Sequence, residues 1–232
     1  MKQKKPKEDQ KINDLDSAST VIMDAIVTQS LAPGQKVSEN ILSDNFCISR
    51  TISRNLIERL ITKQFLTTVS QRVTQVSALT LLDIKQNFIL RKILLPEIFS
   101  LASTNIDYEH LMTLNSQIKA LSPITDDKTA LDLLKRNKEL NLIICEKSRY
   151  PLMLDWAEQL EDMAMRIYWL YIKTTRHFPY SSEQQTTIIS IIKSGETAAI
   201  RRALHDRLTQ TEDRILNAIF SHKQFYTQSL TV

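Results

Sequence analysis

Glycine, cysteine and long apolar runs are all scarce in this sequence. Only 2 of the 232 residues are Gly and 6 are Pro, which leaves few positions for the tight turns of β-hairpins. The scarcity of glycine also argues against the glycine-rich loops that hold nucleotide phosphates. The composition therefore predicts a mostly α-helical chain.

The cysteines and the amino-terminal segment exclude further classes of protein. Cys47 and Cys145 have no second Cys or His at the spacing of metal ligands, so neither a zinc site nor a disulfide framework is predicted, and both are expected to be buried free thiols. The amino-terminal segment is polar and rich in lysine, without the apolar stretch of a signal sequence. No run of about 18 apolar residues occurs. We therefore expect a cytoplasmic protein that has no membrane partner.

The positive charge of the chain is thinly spread. The formal net charge is +4. Residues 1–16 hold five Lys against four acids, and residues 17–80 hold six bases against four acids. Net charge alone therefore does not establish that the protein binds nucleic acid.

Changes in composition along the chain predict two domains flanked by tails. Residues 1–14 have almost no apolar side chains and are expected to form a disordered basic tail. The first domain is expected to span residues 15–79 and the second residues 80–224, followed by a tail at residues 225–232. Proline and polar breaks divide the second domain into long stretches rich in Leu and Ile, which predicts an all-α bundle of six helices.

The first domain is predicted to begin with three helices. Apolar residues recur at helical spacing from Ser17, and the first helix is expected to stop near Pro33-Gly34. Ser38 is a typical N-cap for a short second helix, Cys47-Ile48 form the turn, and Ser49 is a typical N-cap for the third helix. The apolar positions of the first helix are Val21, Ile22, Ala25 and Ile26.

The third helix is predicted to have one apolar and one polar face. Ile52, Leu56 and Leu60 repeat every four residues and are expected to face inward. The next segment, FLTTVSQRVTQV, alternates and is rich in Val and Thr, which predicts two short strands around a tip at residues 70–72. The polar face carries Arg50, Thr51, Arg54, Asn55 and Glu58.

This order of elements is typical of a winged helix-turn-helix, which lays the amino end of its second motif helix in the major groove of DNA. Arg50 and Arg54 are the expected readers, because an arginine fork meets guanine O6 and N7 together or grips a phosphate. The alternative is that both arginines form a solvated face, with Arg54 paired to Glu58. The expected DNA contacts are Ser49, Arg50, Thr51, Ser53 and Arg54 on the helix, and Arg72 and Thr74 in the wing, where Arg72 is placed to enter the minor groove.

Residues 22–80 resemble the winged helix-turn-helix of the GntR family of bacterial transcription regulators. Three departures from the family pattern occur: Ile52 replaces a Pro, Asn55-Leu56 replace Glu-Ala, and Val73 replaces the wing glycine. Since glycine lets the backbone approach DNA closely, the wing contacts are the weakest part of the resemblance. The matching positions occur in order and without gaps: Ile26, Leu31, Pro33-Gly34, Leu42, Ser49-Arg50-Thr51, Arg54, Leu60, Leu66, Arg72, Val76 and Thr80.

Residues 80–222 resemble the all-α ligand-binding domain of the FadR-like, FCD-type branch of that family. In that branch an Asp and three His commonly hold a divalent metal, which binds a small carboxylate effector. Amides bind such metals poorly and arginine is a permanent cation, so the resemblance implies a domain that has no metal and no other cofactor. His205 does not restore the site, because two residues along a helix correspond to about 200° of rotation. The four matching positions are Asn137, Asn141, Gln185 and Arg207.

Two interpretations of this site stay open. In the first, Arg207 supplies the positive charge that the metal would have supplied, and it binds a small carboxylate effector together with Arg91 and the amides of Asn137, Asn141 and Gln185. In the second, the amides and Arg207 satisfy one another and the pocket is filled.

The sequence therefore indicates a mostly α-helical protein, an N-terminal winged helix-turn-helix joined to an all-α effector domain. We expect a homodimeric, metal-free transcriptional regulator of a pseudo-palindromic operator in double-stranded DNA, and a repressor is favoured over an activator. The alternatives are a ligand-independent regulator, a helical enzyme and a helical adaptor whose winged helix binds protein. No set of catalytic residues supports the enzyme.

Overall fold

The computed structural model describes residues 14–70, 73–103 and 106–221. They form two compact units, the first ending at Ala78 and the second beginning at Leu79. The predicted tails at residues 1–13 and 225–232 lie outside the described residues. Asp14, which was expected to belong to the tail, instead caps the first helix by accepting a hydrogen bond from the Ser17 N–H at 2.8 Å.

In the part of the chain that the structure describes, the first unit contains three helices and a three-stranded antiparallel sheet of order β1-β3-β2. The strand β1 was not predicted, because two residues are too few to show alternation. The first helix also ends six residues before the expected stop, with Gln29 turning the chain at φ 60°. The elements of the first unit are α1 (Leu15–Val27), β1 (Lys36–Val37), α2 (Glu39–Phe46), α3 (Arg50–Thr62), β2 (Leu66–Ser70) and β3 (Val73–Val76).

The loop after α1 is tied to the sheet at Gly34. This residue has φ +78°, in the left-handed region that glycine adopts at little cost. Its N–H donates to the Val76 carbonyl at 2.9 Å, and the Val76 N–H donates to the Gln35 carbonyl at 2.9 Å. These bonds place β1 beside β3.

One apolar core holds the first unit together. Of the predicted inward positions, Ile22, Ile26, Leu56 and Leu60 are buried, Ala25 and Ile52 are half-buried, and Val21 is exposed. The exposure of Val21 follows from helix geometry, since Ala18, Ile22 and Ile26 already form the stripe that faces the core. The buried cluster consists of Ala18, Ile22, Ile26, Leu31, Val37, Leu42, Ile48, Leu56, Leu60, Phe65, Leu66 and Val76.

The second unit consists of six helices in the described part of the chain, as predicted. α4 packs most extensively against α9 and also against α7, while α6 packs on α7 and α5 on α8. None of the helices in the described ranges is long and apolar enough to cross a membrane. The helices are α4 (Leu81–Ala102), α5 (Tyr108–Ala120), α6 (Asp127–Glu146), α7 (Pro151–Thr175), α8 (Ser182–Ser194) and α9 (Thr197–Ser221).

The helix α7 packs mainly on three helices of this bundle, α4, α6 and α9. Every residue from Ala164 to Leu170 is buried, so this apolar and aromatic stretch belongs to the core of the bundle. Cys145 is buried as expected, but Cys47 is only half-buried, and both are free thiols. The mostly helical fold class is thus confirmed.

Candidate nucleic-acid interface and buried polar cluster

The turn between α2 and α3 sets the position of α3. Cys47 adopts the left-handed conformation at φ 54° and ψ 38°, and Ile48 is buried beneath the turn. The Ser43 hydroxyl donates to the Ile48 carbonyl at 2.7 Å. Ser49 then caps α3, since its Oγ accepts a hydrogen bond from the Ile52 N–H at 3.2 Å.

The amino end of α3 presents most of the predicted DNA contacts to solvent. Ser49, Arg50, Thr51 and Arg54 are all exposed. Ser53 is not: it is fully buried, and its Oγ donates to the Ser49 carbonyl at 3.0 Å. The assignment of Ser53 as a DNA contact is therefore wrong, because its side chain faces the core on the same stripe as Leu56 and Leu60.

The two arginines of this surface have different environments. The Arg54 Nε donates to Glu39 Oε1 at 2.8 Å, and its Nη2 lies 3.4 Å from Glu39 Oε2. Arg54 thus pairs with Glu39 of α2 and not with Glu58, the partner that the alternative had named. The Arg50 side chain has no hydrogen bond or ion pair with any residue that the structure describes. Arg50 is therefore the side chain with its whole guanidinium available to a ligand.

The wing is a less complete site. Arg72 lies outside the described residues. Thr74 is half-buried in the central strand, paired with Val37 on one side and Thr68 on the other. Val73, which stands at the position of the family's glycine, is also half-buried. The DNA contacts of the wing stay a prediction.

A network of buried polar groups occupies the second unit. Arg91 of α4 donates from Nη2 to Glu161 Oε1 at 2.7 Å and from Nη1 to the Tyr168 hydroxyl at 2.7 Å. The other oxygen of Glu161 accepts from Asn141 Nδ2 at 3.1 Å. Arg91 and Glu161 are each only 1% exposed. The charge of Arg91 is therefore compensated within the bundle.

A second group of polar side chains continues this network. The Tyr180 hydroxyl donates to Asn137 Oδ1, and Arg207 Nη1 donates to Gln185 Oε1. The Arg207 guanidinium lies 5.0 Å from the centre of the Tyr180 ring, which in turn contacts the Tyr168 ring edge-on at 6.4 Å. The predicted effector-site residues are thus brought together through aromatic rings. We call this set the buried polar cluster: Arg91, Asn137, Asn141, Glu161, Tyr168, Tyr180, Gln185 and Arg207.

The tyrosines of the buried polar cluster stay protonated. Burial raises the pKa of Tyr168 above its ordinary value, although Arg91 acts in the opposite direction. Burial likewise raises the pKa of Tyr180, with Arg207 opposing the change. Both hydroxyls therefore remain neutral at physiological pH. Arg91 stays charged, because Glu161 and Tyr168 outweigh the effect of burial and raise its pKa.

Arg207 differs from Arg91 in the charge of its partner. It is 6% exposed, and its hydrogen-bond partner Gln185 is a neutral amide. No carboxylate of the described residues lies within ion-pair distance of it. Two donors at this point, Arg207 Nε and Gln185 Nε2, have no hydrogen-bond partner in the described ranges. Since a buried cation without a counter-charge is costly, this end of the cluster suits an anion.

The side chains at the four family metal positions do not fit a divalent metal. Asn137 accepts a hydrogen bond through its oxygen and Asn141 donates to Glu161, while Arg207 brings a permanent positive charge. His205 is exposed, on the face of α9 opposite Arg207. No group of three His, Cys, Asp or Glu side chains able to hold a metal occurs in the described ranges. The absence of a metal stays a prediction, which elemental analysis tests.

Sequence reasoning missed three members of the buried polar cluster, Glu161, Tyr168 and Tyr180. The signal for Glu161 was present, since it lies four residues after Ala157 and seven before Tyr168, on the stripe of α7 that the bundle buries. An acid in such a stripe indicates a buried partner. Its partner Arg91 lies on another helix, which no periodicity reveals.

A groove of about 650 Å³ lies beside the buried polar cluster. Tyr180 lines this groove and also contacts Arg207 and Asn137, so its side chain stands between the groove and the cluster. Two positively charged side chains, Lys119 and Arg214, also line the groove. Lys119 pairs with Glu183 at 3.0 Å, and Arg214 donates to the Pro179 carbonyl at 2.7 Å.

The described histidines show no catalytic arrangement. His110, His177 and His205 are all exposed, and the nearest acid to the His205 ring is Asp206 at 3.8 Å. His222 lies outside the described residues. An exposed imidazole without an aligned nucleophile does not support acid–base chemistry.

Comparisons with known proteins agree with this architecture. Residues 87–210 match the model of the FCD domain. No curated protein sequence matches the chain. Solved structures share the fold at low identity. E. coli McbR/YncC has a TM-score of 0.73 at 17% identity and covers 88% of this chain and 97% of its own.

Two further structures have the same fold. A protein described as a GntR transcriptional regulator from Rhodococcus sp. RHA1 has a TM-score of 0.67 at 17% identity, over 88% of this chain and 97% of that one. A GntR family member from Pseudomonas syringae pv. tomato has a TM-score of 0.51 at 19% identity, over 90% of each chain. The FCD match covers more than half of the sequence. The chain therefore belongs to the FCD-domain family, and it shares its fold with solved structures that are described as GntR-family regulators.

Proposed function

We propose that this protein binds operator DNA through the exposed amino end of α3 and acts as a repressor. The observation that carries the proposal is the exposed Arg50, which begins a capped helix and keeps all its donors available. An arginine in this position reads guanine in the major groove, while Ser49 and Thr51 are placed to donate to phosphates. The positive end of the helix dipole adds to the attraction.

We further propose that the protein acts as a homodimer on two half-sites of a pseudo-palindrome. The helix α4 supports this proposal, because five large apolar side chains lie on its exposed face beside a few polar ones. Exposed apolar patches of this kind mark protein interfaces. The exposed apolar residues of α4 are Leu82, Ile89, Leu90, Ile93 and Leu101.

Selection from a library of random duplex DNA tests both proposals. The full-length protein is expected to enrich two inverted half-sites whose centres lie about one helical turn, or a multiple of it, apart. Binding to the selected duplex is expected to fall about 10³- to 10⁵-fold between 50 and 200 mM salt, if the dimer contacts about six to ten phosphates. Failure to enrich any sequence, or a flat dependence on salt, would contradict operator binding.

We propose that a small carboxylate binds at Arg207 in the buried polar cluster and modulates operator binding. Arg207 and Gln185 supply donors that no described residue uses, and the positive charge has no counter-ion. Arg91 is a poorer candidate than the sequence suggested, because Glu161 and Tyr168 already occupy its two terminal nitrogens. The groove beside Tyr180 is the access route that we favour. A ligand that prefers one arrangement of the DNA-binding heads then shifts the equilibrium toward it.

Thermal unfolding with a panel of small mono- and dicarboxylates tests the effector site. A ligand at one hundred times its Kd stabilises the folded state by about 2.7 kcal/mol, which corresponds to a rise in Tm of about 5–10 °C for a chain of this size. The Arg207→Gln variant is expected to lose this rise. The matched control Arg202→Gln removes an exposed arginine of the same helix and is expected to keep it.

The same measurement of Tm also tests the alternative, in which the protein is a ligand-independent regulator. In that case no carboxylate raises the Tm of the parent protein, and Arg207→Gln is as stable as the parent or more stable, since it removes an uncompensated buried charge. Operator binding would then be equal in both proteins. The bond between Arg207 and Gln185 is the observation that favours this alternative.

A further inference from the structure

We propose that Glu39 is a positioning residue that sets which edge of Arg54 meets DNA, and thereby part of the base specificity. This inference rests on the proposed operator binding. Glu39 is the first residue of α2, and Arg54 lies on the exposed face of α3. Their pairing joins the two helices of the motif at the surface that is proposed to face the major groove.

The geometry of the pair leaves one edge of the guanidinium available. Glu39 takes the side edge of Arg54, since Oε1 accepts from Nε at 2.8 Å and Oε2 lies 3.4 Å from Nη2. Each Nη carries two hydrogens, so the end edge formed by Nη1 and Nη2 keeps a pair of parallel donors. This pair matches the two acceptors of guanine in the major groove. Glu39 therefore holds a reading edge outward at a fixed angle.

The charges of the pair support this role. The hydrogen bond from Arg54 lowers the pKa of Glu39, and the hydrogen bond to Glu39 raises the pKa of Arg54. Both groups are thus ionised at physiological pH. A free carboxylate on this surface would repel phosphates. A carboxylate that is bonded to Arg54 weakens the attraction of this arginine to phosphates but fixes the orientation of its guanidinium. Arg50 acts on Glu39 through its charge alone, so all of its hydrogen-bond donors stay available.

A purely structural role for Glu39 makes a different prediction. Glu39 lies in the first turn of α2, where an acid stabilises the helix through its dipole. Loss of that effect would lower the stability of the first unit. It would not change the preference for one base over another, and it would not depend on Arg54.

The test compares Glu39→Gln with Glu58→Gln. Glu58 is a matched control, because it is exposed on α3 and acts on Arg54 through its charge without a hydrogen bond to it. Each variant is also made in the Arg54→Ala background. For every protein we measure the ratio of affinities for the selected operator and for random duplex DNA, together with the Tm and the bases enriched from the library.

Glu39→Gln is expected to lower the ratio of affinities about three- to tenfold, which is the effect of freeing one long side chain at an interface. Its affinity for random duplex DNA is expected to be equal or higher, and one base position in each half-site loses its preference. Glu58→Gln is expected to keep the ratio within about twofold. In the Arg54→Ala background Glu39→Gln is expected to leave the ratio unchanged.

Glu39→Asp gives a second readout if the Gln variant folds poorly. It keeps the charge but shortens the side chain by one methylene, so it is expected to lose specificity without gaining affinity for random DNA. Equal effects of Glu39→Gln and Glu58→Gln, or a fall in the ratio that persists without Arg54, would overturn the positioning role while operator binding stands. A parent protein without any sequence preference would overturn both proposals.

Discussion

The Arg50→Ala variant is expected to bind the operator about 5- to 150-fold more weakly than the parent protein. The reason is that Arg50 is the first residue of α3, is exposed, and has both edges of its guanidinium available. A bidentate contact from arginine to guanine discriminates by about 1–3 kcal/mol, and each 1.4 kcal/mol is tenfold in affinity. Electrophoretic mobility shift or fluorescence anisotropy with the selected duplex measures the loss.

Arg59→Ala is the matched control for this prediction. Arg59 lies on the same helix and carries the same charge, but it pairs with Asp16 of α1 at 3.2 Å. Its loss is expected to weaken binding to operator and random duplex DNA by a similar small factor. The Tm of Arg50→Ala is expected to match that of the parent, since exposed substitutions rarely change stability. Equal operator affinity of Arg50→Ala and the parent would show that α3 does not read the DNA.

The Glu161→Met variant is expected to lose about 3–5 kcal/mol of stability. Glu161 is buried and holds both Arg91 and Asn141 through its two oxygens. Removing it leaves the Arg91 charge buried without a counter-charge, which strongly destabilises a folded protein. For a chain of this size the Tm falls by about 6–20 °C. Thermal unfolding followed by circular dichroism measures it.

The double variant Arg91→Met with Glu161→Met separates charge from packing. Replacing a buried ion pair by apolar side chains of similar volume is often neutral or stabilising, so the double variant is expected to recover most of the lost Tm. Glu183→Gln, which breaks the exposed pair with Lys119, is expected to change the Tm little. A double variant no more stable than Glu161→Met alone would show that packing around Arg91, rather than its charge, dominates.

Local signals predicted much of the first unit. The N-caps Ser38 and Ser49 are both confirmed, because a cap depends on a side chain and a backbone N–H only three residues apart. The same kind of signal was available for Ser53, which lies three residues before Leu56 and seven before Leu60. Its assignment to DNA failed because a polar residue type was given more weight than its place on the helix.

The contacts within the buried polar cluster, in contrast, could not be predicted from local sequence signals. A resemblance in sequence brought Asn137, Asn141, Gln185 and Arg207 to attention, yet it did not give their partners. Tyr180 and Glu161 are not adjacent to them in sequence, and their contacts depend on how α6, α7, α8 and α9 pack. The charge balance at Arg207 follows from that packing.

The sequence by itself determined the presence of the helices, the caps Ser38 and Ser49, and the exposed arginines of α3. Those features depend on neighbours within a turn of helix, which a linear pattern records. Only the tertiary structure decided that Arg54 pairs with Glu39 and that Arg91 pairs with Glu161, across 15 and 70 positions of the chain. Such pairs depend on the distance and burial of two side chains from different helices. Periodicity can indicate that a position is buried, but it carries no information about the distance between side chains of different helices.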